Sequence, residues 1–284
     1  MAESILIVGG TNLGKTGTLR QVIAHNPDMP AHVFDGQARF TEVCAFFGGI
    51  PDNCTVHVPQ DINEELVTMR ECCAPTFKGE PDGYGIIGFD MIDDIWESAQ
   101  AYFSEQVYED DPAERMLKVR AKAERAKEKA GLNRAKNSNE FEGFIDWPTI
   151  KQWHRSLVNR AIEQLPCHVV ATTAVRELRK DADSFSDDQR FIETWNDFNA
   201  APTGEKRNSF LFMTLLGMGL KGSLRNRRVT GYLIKDWSRE KFTPVPDWWE
   251  EDLEVNEDGV YDLWKQYRET INQPLAWPVP ELDS

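Results

Sequence analysis

The chain has 284 residues, of which 40% are apolar and 11% aromatic, a composition that excludes wholesale disorder and is sufficient for a full hydrophobic core. Its formal net charge of −15 argues against a basic protein that coats nucleic acid, although it leaves room for a local basic groove. Because no apolar run approaches the roughly 20 residues that span a bilayer, and the first residues lack the basic segment of a signal peptide, we expect a cytoplasmic protein without a membrane partner.

The first predicted element is a buried strand, Ile5 to Val8, that runs directly into a glycine-rich turn. Residues 9–16 read GGTNLGKT and match the phosphate-binding loop pattern G-x-x-x-x-G-K-[ST] at every fixed position. A predicted helix over 16–24 follows, so strand, turn and helix come in the order that such a loop requires. We expect the nucleotide phosphates to be bound by eight consecutive residues: Gly10, Thr11, Asn12, Leu13, Gly14, Lys15, Thr16 and Gly17.

Two side chains of this loop have separate predicted roles. Lys15 is expected to reach the β- and γ-phosphates of the nucleotide, and the Thr16 hydroxyl to coordinate Mg²⁺. The alternative is a chance glycine turn, but a chance match rarely follows a four-residue aliphatic strand at this spacing. The pattern therefore predicts a site for a nucleoside triphosphate and magnesium.

Strands and helices then alternate. Strands are predicted over 31–34 and 54–58, and a buried strand over 83–90. Helices are predicted over 39–47, from Asp61 onward and over 92–107. This alternation predicts an α/β fold with a mostly parallel sheet, right-handed crossovers and helices on both faces.

The second half of the chain is predicted to extend the same sheet. A strongly amphipathic helix over 149–165 leads to an interior strand over 168–172, and a late strand covers 228–236. Between those two strands, residues 176–208 are polar and acidic, which predicts a long loop with a short helix. Residues 210–220 are apolar and punctuated by glycine.

The composition changes abruptly over 110–139, where Ala, Lys, Glu and Arg dominate. This segment predicts an insertion that forms an exposed helix or hairpin, or a loop ordered only by a partner. We therefore predict one domain over 1–240 with a charged helical insertion at about 110–140. A C-terminal extension over 241–284 would contain a helix over 262–271.

The five cysteines give no sign of a disulfide framework, because their number is odd and their spacing irregular. They also lack a paired C-x-x-C pattern of the kind that binds metal. We expect Cys44, Cys54 and Cys167 to be small core residues.

A magnesium site next to a phosphate loop needs an acidic residue at the C-terminal end of a neighbouring buried strand. Asp90 meets this description, since it follows Ile86 to Phe89 and comes 75 residues after Lys15. Its alternative role is to cap the helix that begins near Ile92. We predict that Asp90 and Thr16 together hold the metal.

Hydrolysis also needs a group that orients water, and many ATPases place a glutamate directly after the metal-binding aspartate. Here that residue is Met91, which leaves Asp93, Asp94 or Asp35 as candidate bases. The alternative role of Asp35 is to form the turn before Gly36.

Further polar residues are predicted at the ends of two other strands. Thr172 or Thr173 can sense the γ-phosphate or simply cap the end of its strand. Lys235 and Arg239 follow the late strand, where a basic pair can approach the nucleotide of an adjacent subunit or form surface salt bridges.

With these parts assembled, the chain resembles the RecA-like ATPases encoded by tailed bacteriophages, a group that includes phage recombination and single-strand-annealing ATPases. The resemblance covers roughly residues 3–240 and is carried by four segments: GGTNLGKT, IIGFDMIDDIW, WPTIKQWHRSLVNRAIEQLPCHVVATTAVRE and LIKDWSRE. It implies a RecA-like P-loop core that uses ATP and Mg²⁺. It also favours Asp35 as the base, because RecA-type ATPases take theirs from near the end of the second strand.

One departure concerns the late strand. Bacterial relatives have a KNR-type motif there, whereas Lys235-Asp236-Trp237 lacks the adjacent arginine, so that role falls to Arg239 or is lost. The resemblance implies a catalytic set of Lys15, Asp35, Thr173, Lys235 and Arg239.

The expected function is that of a Mg²⁺-dependent ATPase that acts on DNA in recombination, annealing or replication, located in the host cytoplasm if the protein is viral. We expect a homo-oligomer that binds single-stranded DNA through Arg225, Arg227 and Arg228, which belong to the basic segment KGSLRNRR. The alternatives are a small-molecule kinase, a DNA-packaging ATPase, and a nucleotide-gated assembly protein with little turnover.

Overall fold

The computed structural model describes residues 3–79, 85–130, 145–177, 200–205, 208–221, 228–236 and 252–253. Within these ranges, no helix is long and apolar enough to cross a membrane. The architecture is one large sheet with helices packed against it, and a small separate pair of strands.

The large sheet has eight strands, in the order β10-β9-β8-β1-β5-β4-β2-β3. The six strands from β8 to β3 are parallel to their neighbours, and β9 and β10 are antiparallel. The strands are β1 Ser4–Gly9, β2 Ala31–Phe34, β3 Cys54–His57, β4 Ile86–Phe89, β5 His168–Thr173, β6 Val175–Glu177, β7 Ala200–Pro202, β8 Thr214–Lys221, β9 Arg228–Asp236 and β10 Asp252–Leu253. Strands β6 and β7 form the separate antiparallel pair.

Helices follow most of the parallel strands. They are α1 Lys15–Ala24, α2 Arg39–Phe46, α3 Ile62–Thr68, α4 Ala74–Gly79, α5 Ile92–Tyr108, α6 Pro112–Ala130, α7 Asp146–Asn159 and α8 Asn208–Leu211. A π-helical turn, Met69–Cys73, joins α3 to α4, and a second one, Arg160–Gln164, extends α7.

Two hydrophobic clusters cover the two faces of the sheet. On one face, Ile5 and Ile7 of β1 belong to a cluster with residues of α1 and α2, including Leu19 and Phe40. On the other face, alternate β1 residues belong to a cluster with α3, α5 and α7. Strand β1 is apolar throughout because both of its faces are buried. The α/β fold class predicted from the sequence, with helices on both faces, is confirmed.

The strand order brings three strand ends to one place. Strand β5 lies between β1 and β4, with Val8 paired to Thr173 and Phe89 paired to Ala171. The carboxyl ends of β1, β5 and β4 therefore meet at one edge of the sheet. In open parallel sheets, ligands bind in the crevice outside this edge.

Several predicted elements have different bounds or partners in the structure. The helix predicted over 149–165 begins at Asp146, and its last turn is π-helical. The region predicted as a long loop over 176–208 contributes β6 and β7 near its two ends, while residues 178–199 lie outside the described residues. The helix predicted over 262–271 lies outside them as well.

The insertion and the extension are partly described. The charged segment forms α6, and its Arg115 guanidinium lies 3.5 Å from the ring centroid of Tyr108 at the end of α5. Within the predicted C-terminal extension, β10 pairs with β9 and adds an edge strand to the main sheet. The domain limits of 1–240 and 241–284 stay a prediction.

Candidate nucleotide- and magnesium-binding site

The phosphate loop connects β1 to α1 and has two residues in the left-handed region of backbone space. These are Asn12, with φ of 63°, and Gly14, with φ of 88°. Gly9 is required for another reason, because a Cβ there would lie 2.9 Å from the Met218 Cβ of the neighbouring strand β8. The loop thus closes tightly and directs the amino end of α1 toward the sheet edge.

Lys15 is the first residue of α1 and is almost fully buried beneath the loop. Its Nζ donates a hydrogen bond to the Gly10 carbonyl oxygen at 2.8 Å. Burial lowers the pKa of Lys15, and the carboxylates of Asp90 and Asp93 oppose that change. The ammonium group is therefore held inside the loop, where the phosphates of a nucleotide would lie.

Asp90, directly after β4, is fully buried and contacts both neighbouring strand ends. Its Oδ1 accepts hydrogen bonds from the Thr16 hydroxyl at 3.2 Å and the Thr172 hydroxyl at 2.5 Å. Its Oδ2 is buried and has no hydrogen-bond partner. Burial raises the pKa of Asp90, and the hydroxyls of Thr172 and Thr16 act in the opposite direction.

The donor atoms around Asp90 suit a hard cation. Mg²⁺ prefers carboxylate and hydroxyl oxygens and is usually held by one or two carboxylates together with phosphate oxygens. The unpartnered Oδ2 of Asp90 and the Thr16 hydroxyl supply such atoms next to the phosphate loop. The residues present therefore fit Mg²⁺, and an unpaired buried carboxylate oxygen has a physical reason to be retained there.

A cleft of about 900 Å³ opens in front of the loop. This volume is within the range of small-ligand sites. The residues that line it come from the phosphate loop and α1, from α2 and the residues beside its two ends, from the start of α5, from strands β8 and β9, and from Ala174 after β5. No side chain of α6 that the structure describes lines it.

Asp35 is fully buried at the end of β2, and its carboxylate contacts the first amides of α2. Oδ1 accepts from the Arg39 amide at 2.9 Å, and Oδ2 accepts from the Phe40 amide at 2.9 Å and the Thr41 amide at 3.4 Å. Burial raises the pKa of Asp35, whereas these amide hydrogen bonds act to lower it. This is the geometry of a helix-capping carboxylate. Its role as a base stays a prediction that these contacts do not favour.

The other two candidate bases lie in the first turn of α5 and line the cleft. Asp93 Oδ2 accepts from the Thr203 hydroxyl at 2.6 Å. Asp94 Oδ1 accepts from the Gln37 amide at 2.7 Å, and its Oδ2 is buried without a partner. Burial, followed by the charge of Asp93, raises the pKa of Asp94 to about 6.

Of the two threonines at the end of β5, Thr172 and not Thr173 contacts Asp90. The Thr173 hydroxyl lies 3.3 Å from the Thr203 hydroxyl and 3.4 Å from the Ala174 carbonyl oxygen. Thr172 therefore positions the carboxylate of Asp90, and the sensing role of Thr173 stays a prediction.

Lys235 lies near the C-terminal end of β9. Because β9 runs antiparallel to β8, this end of β9 lies on the side of the sheet opposite to the phosphate loop. Lys235 pairs with Leu215, which in turn pairs with Leu6, three residues before Gly9. Arg228, at the other end of β9, pairs with Lys221 on the phosphate-loop side of the sheet. Three predicted residues, Arg225, Arg227 and Arg239, lie outside the described residues.

The cleft also contains residues that the sequence did not single out. Arg39 lines it, and its Nη1 lies 3.5 Å from the sulfur of Met91, the residue that stands where many ATPases have glutamate. Gln37 lines it as well and holds Asp94. Gln37 and Arg39 both come shortly after the end of β2. The polar residues that follow this predicted strand were the signal that could have indicated them.

Comparisons with known proteins give a limited result. No protein-family model matches the sequence, and no curated protein matches it significantly. Among solved structures, the chain is similar to a KaiC-like protein from the hyperthermophilic archaeon Pyrococcus horikoshii OT3. The identity is 11% and the TM-score 0.47, over 90% of this chain and 87% of that one. A likeness at this level carries no argument about activity, so the site is interpreted from its own residues.

Proposed function

We propose that this protein is a Mg²⁺-dependent ATPase with a RecA-like P-loop core. One observation carries the proposal: the hydroxyl of Thr16, in the phosphate loop, contacts the buried carboxylate of Asp90, 74 residues away, whose second oxygen has no partner. A phosphate loop alone binds phosphate. A phosphate loop joined to an unpaired carboxylate at the same sheet edge provides for the metal as well.

The residues have distinct tasks in this proposal. When a nucleotide binds, the ammonium group of Lys15 would leave the Gly10 carbonyl oxygen and contact the β- and γ-phosphates. The negative charge of the phosphates would thus be paired with an ammonium group that is already in the cleft. Thr16 and Asp90 hold Mg²⁺, which neutralises charge that develops on the phosphates. Thr172 keeps the Asp90 carboxylate in position through its 2.5 Å hydrogen bond.

We take Asp94 as the base. Asp93 and Asp94 both line the cleft, each with one oxygen held, by Thr203 and Gln37 respectively, and the other unpartnered, so the choice between them rests on the pKa of Asp94. A general base is most effective when its pKa lies near the working pH, and the raised pKa of Asp94, about 6, approaches that condition. Asp35 has no such free oxygen, since both of its oxygens accept amide hydrogen bonds.

The finer proposal is a phage-type ATPase that acts on DNA in recombination, annealing or replication as a homo-oligomer. It is supported by the basic segment KGSLRNRR, whose last residue, Arg228, begins β9 on the phosphate-loop side of the sheet. Single-stranded DNA would be bound through Arg225, Arg227 and Arg228, because phosphate contacts need clustered positive charge.

A second candidate function is a nucleotide-gated assembly protein with little turnover. The observation that favours it is Met91 in the position after Asp90, where a thioether that cannot act as a base lies 3.5 Å from Nη1 of Arg39. In such a protein, ATP binding would order subunits and hydrolysis would be slow.

ATP binding and turnover, measured with Mg²⁺ and with or without single-stranded DNA, test these functions. We expect the wild type to bind and hydrolyse ATP only with Mg²⁺, and Lys15→Ala to lose both properties. Lys122→Ala, which removes an equal charge from an exposed position on α6, is the matched control and should behave as wild type. A wild type that binds no ATP in the presence of Mg²⁺ would refute the ATPase proposal.

The DNA part has its own readout. Reversing the charges of Arg225, Arg227 and Arg228 should weaken DNA binding and flatten its dependence on salt. Reversal of Arg120, Lys122 and Arg125 on α6 makes the same change in net charge elsewhere and serves as the comparison. If DNA neither binds in the presence of ATP nor alters turnover, the DNA role is wrong and slow nucleotide-gated assembly is the better description.

A further inference from the structure

A cluster of three metal-binding side chains lies apart from the nucleotide cleft. His32 of β2, His57 of β3 and Cys73 of the π-helical turn bring one ligand atom each to within 4.8 Å of one another. His32 and Cys73 are buried, and His57 is half-buried on the edge strand of the sheet. None of the three lines the nucleotide cleft.

The hydrogen bonds around His32 fix its tautomer. The Thr76 hydroxyl donates to the Cys72 carbonyl oxygen at 2.8 Å, so its oxygen is left to accept from Nε2 of His32, 3.2 Å away. His32 therefore carries its proton on Nε2, and the lone pair of Nδ1 faces Nε2 of His57 at 2.8 Å. Metal-binding histidines are held in this way, with the distal N–H donated to a neighbouring polar group.

The surroundings of the two imidazoles favour the neutral form that binds metal. Burial lowers the pKa of His32 to about 4 and also lowers that of His57. Phe77 and Phe34 cover the two imidazoles, with ring centroids 5.6 Å and 5.5 Å from those of His32 and His57. An apolar shell of this kind limits the access of solvent to the site.

We propose that Nδ1 of His32, Nε2 of His57 and Sγ of Cys73 bind one Zn²⁺ ion, with water in the fourth position. Two imidazole nitrogens and one thiolate are a donor set that zinc accepts in tetrahedral geometry. Magnesium prefers oxygen ligands and is not expected to compete for it.

The two ring nitrogens need to move little. Zinc–nitrogen bonds of about 2.0–2.1 Å at a tetrahedral angle separate two ligand nitrogens by about 3.3 Å. The two ring nitrogens are 2.8 Å apart, so His57 must withdraw by about half an ångström from His32. Its place on the half-exposed edge strand allows that movement and gives the ion a path from solvent.

Binding has a defined proton balance. The Cys73 thiol, whose pKa is raised to about 12 by burial, gives its proton to solvent and becomes the thiolate ligand. His57, which donates Nε2–H to His32 before binding, moves its ring proton to Nδ1. One proton is therefore released for each Zn²⁺ bound, and the apparent affinity rises with pH. The bound ion ties the edge strand β3 to β2 and to the α3–α4 junction.

Cobalt(II) titration of the metal-free full-length protein tests the site, because a thiolate–cobalt bond gives a near-ultraviolet charge-transfer absorption that oxygen ligands do not give. Excess Mg²⁺ is present throughout to occupy carboxylate sites. We expect the wild type to bind one Co²⁺ with this absorption, and Zn²⁺ to displace it at one equivalent. Cys73→Ala should abolish the band, whereas Cys72→Ala, which removes the adjacent exposed cysteine, should retain it.

Two further variants keep the test decisive if Cys73→Ala folds poorly. His57→Gln changes a half-buried position on the edge strand and should lower the affinity for Zn²⁺ at least about 10-fold. Thr76→Val removes only the hydroxyl that accepts the Nε2–H of His32, and it should lower the affinity by about 10- to 100-fold. Zn²⁺ should raise the melting temperature of the wild type and of Cys72→Ala. A wild type without the charge-transfer band, or a band that survives in Cys73→Ala, would mean that the cluster is only a hydrogen-bonded histidine pair in the core.

Discussion

Three carboxylates at one edge of the sheet differ in how their oxygens are occupied. Both carboxylate oxygens of Asp35 accept hydrogen bonds from backbone amides of α2. One carboxylate oxygen of Asp90 accepts hydrogen bonds from two threonine hydroxyls. Asp94 uses one oxygen for the Gln37 amide and keeps the other unpartnered in the cleft wall. These different environments support the distinct roles that we propose for residues of one type, namely cap, metal ligand and base.

Substituting Asp94 by Asn tests the third of these roles. Turnover should fall about 100-fold or more, the usual contribution of a general base, while ATP affinity stays within a few-fold of wild type. A base acts when deprotonated, and the pKa of Asp94 is raised to about 6, so wild-type turnover should fall as the pH drops below about 6. The variant should lack this acidic limb. The measurement is a pH profile of kcat.

Glu97→Gln is the matched control for that experiment, because Glu97 lines the same cleft one turn further along α5 but is exposed. It should retain turnover and an acidic limb, which should move to somewhat lower pH because the charge of Glu97 contributes to the raised pKa of Asp94. If Asp94→Asn hydrolyses ATP like the wild type, Asp94 is not the base, and Asp93 becomes the remaining candidate among the cleft carboxylates that the sequence indicated.

Among single residues, the sequence predicts those whose role follows from their immediate neighbours along the chain. Lys15 and Thr16 come from the loop pattern, and Asp90 comes from its place after a buried strand; the structure brings them together. The sequence leaves Thr172 and Thr173 as equal alternatives because adjacent residues of a strand face opposite sides, and only pairing with neighbours decides which one faces Asp90. The proposed zinc site could not be predicted from the sequence for a similar reason. Its residues, His32, His57 and Cys73, are far apart along the chain and come together only in the folded structure.

At the scale of single elements, helix α3 buries a carboxyl group that nothing in the nucleotide site uses. Glu65 is 5% exposed, and its Oε2 is buried without a partner. Burial, followed by the charges of Asp61 and Asp94, raises the pKa of Glu65 to about 8. Its ordinary pKa is 4.5, so the folded protein keeps a proton that the unfolded chain releases between these two values.

Glu65→Gln should therefore change the dependence of stability on pH. The free energy of unfolding of the wild type should fall as pH rises from about 5 to 8, by up to about 1.4 kcal/mol per unit from this group, and level off above. The variant should show a shallower decline and exceed the wild type by on the order of 1 to 3 kcal/mol at pH 8. Urea unfolding at a series of pH values measures this.

Glu71→Gln makes the same charge change at an exposed position of the adjoining π-helical turn and should leave the pH dependence unaltered. Parallel stability curves for wild type and Glu65→Gln would show that Glu65 is charged in the folded protein, against the prediction.

The predictability of the elements depends on what determines them. Strands β1, β2 and β9 and helices α1 and α5 follow closely from apolar runs and periodicity, because burial on one or two faces sets the pattern. Strand β8 was not assigned, since its glycine-punctuated apolar run fits strand and helix alike until it pairs with β1. The pair β6–β7 depends on a partner more than twenty residues away along the chain, which a local pattern does not contain.

At the scale of the whole molecule, the sheet order determines which nucleotide each strand end can approach. Lys235 lies level with Leu6, about 10 Å behind Gly9 along the strand direction, and two strands to the side. Its backbone position is therefore at the end of the strands away from its own phosphate loop. If Lys235 and Arg239 contact a nucleotide at all, as the resemblance implies, the nucleotide belongs to an adjacent subunit.

Assembly with nucleotide and complementation between variants test this arrangement together. The wild type should shift from a smaller species to an oligomer when a non-hydrolysable ATP analogue and Mg²⁺ are added, as measured by light scattering. Lys15→Ala and the double variant Lys235→Ala/Arg239→Ala should each be inactive alone. Mixed in equal amounts, they should regain about a quarter of wild-type turnover, because one in four interfaces then joins an intact phosphate loop to an intact basic pair. A strict monomer with the analogue, or a mixture as inactive as its components, would place both basic residues outside the site, and the nucleotide would then be bound by the single subunit whose loop and Asp90 already meet.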